Sequence, residues 1–287
     1  MKKNRRVLVP ALIISFMTLA ALTYATSSKL RSSKTMEGKP IASEGANLQN
    51  KKRGFYMRRA ALSPKLVWHL KAMGDRLEKP GRERLSVRGT LARANESQTE
   101  AVDAVLEFPD QVRLSLKKGA EERVITFDGE HAKAPGNSLD PAEQDLIETL
   151  VYNTAEHFFA TQLQGMATRF LGSRFRLDDG SSADYSGPYY DVYKVADQVT
   201  ISTDQREQLK LYYFNSDTLL LERVTYEITR NGSVVRVEER IGGWTKEQGQ
   251  QVARRLERFE NGESVFVLTV RAAGLGPHLD DGVFVNN

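Results

Sequence analysis

Between residues 189 and 272 the chain repeats one pattern, in which runs of alternating apolar and polar residues are joined by short turn signals. Two of the links are Asn231-Gly232 and Asn261-Gly262, whose residues accept the positive φ that a two-residue hairpin imposes. Asn215-Ser216-Asp217 is a further, weaker turn signal. Strands are expected over residues 189–195, 208–214, 219–230, 233–241, 250–259 and 263–272, with Gly242-Gly243-Trp244 separating two of them. Parallel neighbours would need long crossovers, so tight hairpins make the sheet antiparallel. Period-two alternation gives it one covered face and one wet face.

The first half adds strands of the same kind. Leu85, Val87 and Leu91 alternate with Arg84, Ser86, Arg88 and Thr90, which puts Gly89 on the inward side. Val102, Ala104, Leu106 and Phe108 alternate with Asp103 and Glu107; past the Pro109-Asp110 turn, Val112, Leu114 and Leu116 alternate with Arg113, Ser115 and Lys117. Ile125 and Phe127 mark a shorter strand. Two helices interrupt the series. Ser63 is a suitable N-cap with Pro64 behind it, and Leu66, Val67, Leu70, Met73 and Leu77 recur at helical steps until Pro80-Gly81. Asp140-Pro141-Ala142-Glu143 supplies a cap, a first-position proline and a capping-box acid. Leu146, Ile147, Leu150, Val151, Phe158, Phe159 and Leu163 then hold one helical face up to Gly165. The fold class is α+β: a large antiparallel sheet of about ten strands, curled by strand twist into an unclosed barrel, with two main helices over its concave face.

Residues 1–25 are a different material. Lys2, Lys3, Arg5 and Arg6 precede an apolar run over residues 7–25, broken only by Ser15, Thr18 and Thr23 among its polar positions. This is the pattern of an export signal, with Thr23-Tyr24-Ala25 as a small-residue cleavage site, or of an uncleaved anchor about 20 residues long. Either places the body outside the cytoplasm, in the periplasm or on the outer face of the inner membrane. Residues 26–58, rich in Ser, Lys, Gly and Asn, form a basic, disordered linker. The folded domain then spans residues 59–287.

The net charge of +4 misleads unless it is divided. Residues 1–58 hold 12 basic residues and only Glu37 and Glu44, leaving 29 of the 41 basic and 35 of the 37 acidic residues for the body, a formal charge near −6. A phosphate-binding surface, and so a nucleic-acid partner, is not expected. The linker could attract an anionic membrane surface. With no cysteine, the chain has no disulfide, no thiolate metal site and no thiol-linked lipid anchor.

Catalytic constellations are hard to find. His69, His131, His157 and His278 stand at no metal-ligand spacing, and His69 and His157 are expected as surface or boundary residues of helices. There is no GxSxG elbow, Walker loop or HExxH pair. Asp178-Asp179-Gly180 and Asp280-Asp281-Gly282 have turn chemistry, not alternating calcium ligands. Glu107, Glu222, Glu227, Glu238 and Glu239 sit beside basic residues, as on a solvated sheet face; no pair is selected as hydrolytic carboxylates. Neither a cofactor nor a metal site is expected. Trp68, Phe158 and Phe159 are core residues or cavity lining, and Tyr185, Tyr189, Tyr190 and Tyr193 are strand packing or a cavity rim.

The order of these elements resembles the bacterial lipoprotein-carrier (LolA/LolB-like) superfamily. The resemblance is carried by the helix from Ser63, the strand Arg84-Leu85-Ser86-Val87-Arg88-Gly89-Thr90-Leu91, the inserted helix after Asp140, and the strand–turn–strand of residues 209–223 around Asp217-Thr218. It spans residues 59–272. It implies a half-barrel lidded by helices, with an apolar cavity for acyl chains and a lipid or a lipidated protein as partner. On inward parity, the expected cavity residues are Leu66, Leu70, Val87, Leu91, Leu106, Leu114, Leu150, Phe158, Phe159, Leu163, Tyr226 and Ile228. The receptor branch of that family carries a lipidated cysteine, which is missing here. The expected function is non-catalytic: an envelope protein holding an acyl chain, or a tethered interaction or sensor module on the same fold; a third reading, a hydrolase with a carboxylate pair, would gain from a strongly shifted Asp or Glu inside the concavity.

Overall fold

A computed structural model describes residues 62–284, apart from 75, 80, 137–138, 165, 179–183, 202–203, 278 and 280–282. The expected signal or anchor over residues 1–25 and the linker over 26–58 lie outside the described residues.

The helices are α1 (Pro64–Met73), α2 (Pro141–Val151) and α3 (Ala155–Leu163). The strands are β1 (Arg84–Arg93), β2 (Glu100–Glu107), β3 (Gln111–Lys118), β4 (Glu121–Phe127), β5 (Ala132–Lys133), β6 (Thr168–Phe175), β7 (Tyr190–Ile201), β8 (Asp204–Asn215), β9 (Leu221–Arg230), β10 (Ser233–Gly242), β11 (Thr245–Glu247), β12 (Gln250–Val252), β13 (Arg255–Glu260) and β14 (Glu263–Gly276). Among the described residues, twelve strands form one antiparallel sheet in the order β5-β4-β3-β2-β1-β14-β13-β10-β9-β8-β7-β6, and β11 and β12 pair separately. The α+β class and the unclosed sheet are as expected. The strand count exceeds ten because β5 is only two residues long and β6 is exposed along most of its length, so neither shows a period. The expected strand over residues 250–259 is two, β12 and β13, each with its own partner.

Capping chemistry sets the helix ends. Ser63 accepts the Leu66 N–H, and Asp140 and Glu143 close a reciprocal capping box. α1 stops at Met73 instead of continuing to Leu77. Gly74 has φ 102°, and a Cβ there would lie 2.2 Å from the Gly249 carbonyl oxygen, so the chain passes β12 where a side chain cannot fit. The expected long second helix is two, α2 and α3, divided at Tyr152-Asn153-Thr154. The Tyr152 carbonyl accepts from Lys210 Nζ (3.2 Å) and Tyr212 OH (3.0 Å) on β8. The Thr154 hydroxyl caps α3 by accepting the His157 N–H at 3.1 Å. These contacts replace helical continuation across the break.

Two apolar clusters fill the covered face. In one, α1 and α3 set Leu66, Leu70, Phe158 and Phe159 against Tyr193, Tyr212, Phe214 and Val224. In the other, α2 sets Leu146, Ile147 and Leu150 against strands β1 to β4 and β14, together with Val199 and Ile201 of β7. Strands from opposite ends of the sheet thus meet on α2. Tyr152 marks the closure: its ring lies 6.0 Å from Phe127 of β4, and its hydroxyl donates to the Thr200 carbonyl of β7 at 2.8 Å.

Candidate functional site

An apolar slot lies between the α2–α3 break and the strands β1, β2, β10 and β14. Its volume is about 90 Å³, and Leu85, Val87, Leu106, Leu150, Leu268 and Val270 form much of its wall. Arg76, Asn153, Glu156 and Trp244 add polar groups to the lining. Strand parity builds it: Leu85 and Val87 face inward from β1 beside Leu106 of β2, while the helical spacing of α2 brings Leu150 over them.

Three of the expected cavity residues, Val87, Leu106 and Leu150, line this slot. Leu91 and Leu114 are packed in the same cluster behind it. Leu66, Leu70, Phe158, Phe159, Tyr226 and Ile228 belong to the other cluster. There the Phe158 ring is 5.4 Å from Phe159, 5.3 Å from Tyr193 and 5.0 Å from both Tyr212 and Phe214. That half of the interior is filled by its own rings. The side chain of Leu163 lies outside the described residues. Trp68, expected in the core or a cavity, is 55% exposed, because Leu66, Leu70 and Met73 take the buried side of α1 and Trp68 falls opposite. Tyr190 and Tyr193 are buried, whereas Tyr185 and Tyr189 carry the guanidinium groups of Arg176 and Arg174 on their rings.

Beside the slot runs a buried ion network. Arg258 of β13 is fully enclosed and lies 3.0 Å from Asp145, 3.5 Å from Glu148 and 3.0 Å from Glu239. Glu239 also accepts from Thr149 Oγ1 at 2.7 Å and Asn153 Nδ2 at 3.2 Å. Glu148 accepts from Gln208 Nε2 at 2.8 Å and pairs with Arg206 at 3.0 Å. Further along, Lys210 pairs with Asp197 at 2.8 Å, and His157 Nε2 meets the same carboxylate at 2.9 Å. The expectation that Glu107 and Glu239 stand on a wet face is therefore corrected: both are buried. So are His69 and His157, expected at a surface or boundary. His69 Nδ1 lies 3.0 Å from the Leu219 carbonyl oxygen, to which it donates, and burial lowers its pKa below the usual histidine value, which favours the neutral ring.

The network splits two carboxylates in opposite directions. Burial raises Glu239 to about 7 in spite of Arg258 and Thr149. Burial also pushes Asp197 up, but Lys210 and His157 outweigh it and hold the group at about 2. The signs of the linked stability differ accordingly. Glu239 binds a proton more readily folded than unfolded, so its contribution to stability falls as pH rises from about 4.5 through about 7. Asp197 stabilises above about pH 4, and that contribution is lost as pH drops through about 2. Urea unfolding at pH 5 and pH 8 should show Glu239→Gln removing part of the wild-type decline, on the order of 2 kcal/mol; an unchanged decline would place its origin elsewhere.

A shallow groove of about 750 Å³ lies on the opposite face of the sheet, bordered by Lys194, Leu209, Leu211, Glu227, Arg236 and Glu238. Leu209 is 53% exposed there.

No family profile and no curated protein sequence matches the chain. Solved structures do. A LolA superfamily protein from Nitrosomonas europaea aligns with a TM-score of 0.53 at 13% identity, over 77% of this chain and 97% of its own. A DUF1329 family protein from Desulfovibrio piger aligns with a TM-score of 0.50 at 12% identity, over 77% of this chain and 94% of its own. At these identities the likeness establishes the fold, and it is the LolA-type fold that the sequence resembles.

Proposed function

We propose that this LolA-type domain is a non-catalytic cell-envelope protein that takes an acyl chain of a lipid or lipidated protein into the slot beneath the α2–α3 break. The observation that carries this reading is the apolar wall of Leu85, Val87, Leu150, Leu268 and Val270 around a space that the protein's own side chains leave unfilled. An apolar cavity of about 150 Å³ holds one six-carbon benzene ring, so about 90 Å³ admits roughly three to four methylene-sized groups, the end of a chain. Burying them is worth about 3 kcal/mol at ~0.8 kcal/mol each, a millimolar-range contribution to which the chain resting on the apolar mouth adds. The apolar run over residues 7–25 supports export, to the periplasm or the outer face of the inner membrane, and the basic linker supports contact with the membrane surface.

A fluorescent fatty acid should bind the purified chain, and Val87→Phe, which fills the slot, should weaken binding at least tenfold. Overpacking costs about 1–3 kcal/mol, so circular dichroism must show the variant folded. Leu209→Ser, on the other face, should leave binding unchanged. The reverse pattern would favour the second reading, a tethered interaction module whose contact surface is the groove around Leu209.

A further inference from the structure

We infer that the slot holds one acyl chain only, attached through an ester or amide, and that the indole N–H of Trp244 donates to the linkage carbonyl. This rests on the acyl-chain reading and narrows it to a ligand class. The slot itself offers about 90 Å³, room for a segment of one chain and not for two side by side. Toward α1 and α3, among the described residues, Phe158, Phe159, Tyr193, Tyr212 and Phe214 pack ring on ring. A lipid with two or three chains would have to leave the others in solvent or at a membrane.

The linkage follows from the polar atoms of the lining. Trp244 lines the slot, and its Nε1 is shielded from solvent without a hydrogen-bond partner. Buried donors are almost always paired, and an indole N–H can only donate, so a ligand that carries an acceptor into the slot would satisfy it. Other polar groups of the lining are engaged. Asn153 donates to Tyr226 at 3.0 Å and accepts from Lys210 at 2.9 Å. Arg76 pairs with Glu156 at 2.9 Å and donates to the Glu83 carbonyl at 3.3 Å. With Arg76 held by Glu156, a free carboxylate head meets a cation whose charge is already matched. A neutral ester or amide carbonyl needs a donor and no counter-ion, which is what Trp244 offers.

Isothermal titration of the full chain below micelle-forming concentrations tests this with three ligands: decanoyl lysophosphatidylcholine, decyl phosphocholine, which has no carbonyl, and didecanoyl phosphatidylcholine. The expected result is one decanoyl lysophosphatidylcholine per chain, bound about tenfold more tightly than decyl phosphocholine, as one hydrogen bond allows. Trp244→Phe should bring the ratio of the two affinities to about one, whatever the smaller ring does to both. Equal wild-type affinities for the ester and the alkyl ligand would overturn the role of Trp244, as would a tenfold preference that persists in Trp244→Phe. Didecanoyl phosphatidylcholine binding as tightly as the single-chain ester would overturn the one-chain limit and leave the acyl-chain reading standing. Failure of all three ligands, and of the fluorescent fatty acid, would remove that reading itself.

Discussion

Arg258→Met should lower the unfolding free energy by about 3–5 kcal/mol, the range for removing one partner of a buried charge cluster. For a domain of this size that is a drop in Tm of about 6–20 °C. The loss is large because the substitution leaves Asp145, Glu148 and Glu239 enclosed together without the guanidinium that lies within 3.0–3.5 Å of all three. It should be greater at pH 8 than at pH 5, since Glu239 titrates at about 7 and in the variant must ionise without Arg258. Adding Glu239→Gln to Arg258→Met should return part of the loss. Calorimetric scans of the single and double variants at both pH values check these outcomes, and a change of less than 1 kcal/mol would mean that the cluster is not a coupled unit. The network also bears on the site: it holds α2 to β8, β10 and β13 by directional contacts, fixing the helix that forms one wall of the slot.

Phe158→Ala should cost a comparable 3–5 kcal/mol, for a different reason. Its ring touches Phe159, Tyr193, Tyr212 and Phe214, so truncation leaves a cavity among large side chains that cannot all close in. Because the ring carries no charge, this loss should be nearly equal at pH 5 and pH 8, which separates it from Arg258→Met in the same calorimetric scans. A loss below about 1 kcal/mol would show that the aromatic cluster repacks freely, and the claim that this half of the interior is solid would fail with it.

The sheet was legible because alternation and Asn-Gly turns are local signals. Asn231 and Asn261 adopt the positive φ that such turns require, and the register keeps Val87, Leu91, Leu114 and Leu268 on one face. The polar interior was legible in part. Glu239 shares parity with Val237 and Ile241, Lys210 with Tyr212 and Phe214, and Arg258 with Leu256, so each stood on an inward position. Asp145, Glu148 and Thr149 of α2, continued by Tyr152 at its C-terminal cap, make a second stripe at steps of three and four residues. Treating charge as a mark of solvent hid both stripes, since opposite charges can be enclosed together when the partners lie on distant strands. The helix break was hidden for the same reason: the groups taking the Tyr152 carbonyl come from β8, 58 and 60 residues away in sequence. Trp68 shows the converse limit, because a large apolar residue on a ten-residue helix follows the face the helix turns outward. The size of the slot could not be read at all, since it depends on how two clusters of side chains from many strands fill a common space.

The most direct measurement is photo-crosslinking with a diazirine-bearing decanoyl lysophospholipid, followed by peptide mapping of the labelled full chain. Labels concentrated at Val87, Leu150, Leu268 and Val270, and displaced by unlabelled ligand, are the expected result. Labels at Leu209 and Leu211 on the opposite face, or none that unlabelled ligand displaces, would contradict an acyl chain held beneath the α2–α3 break.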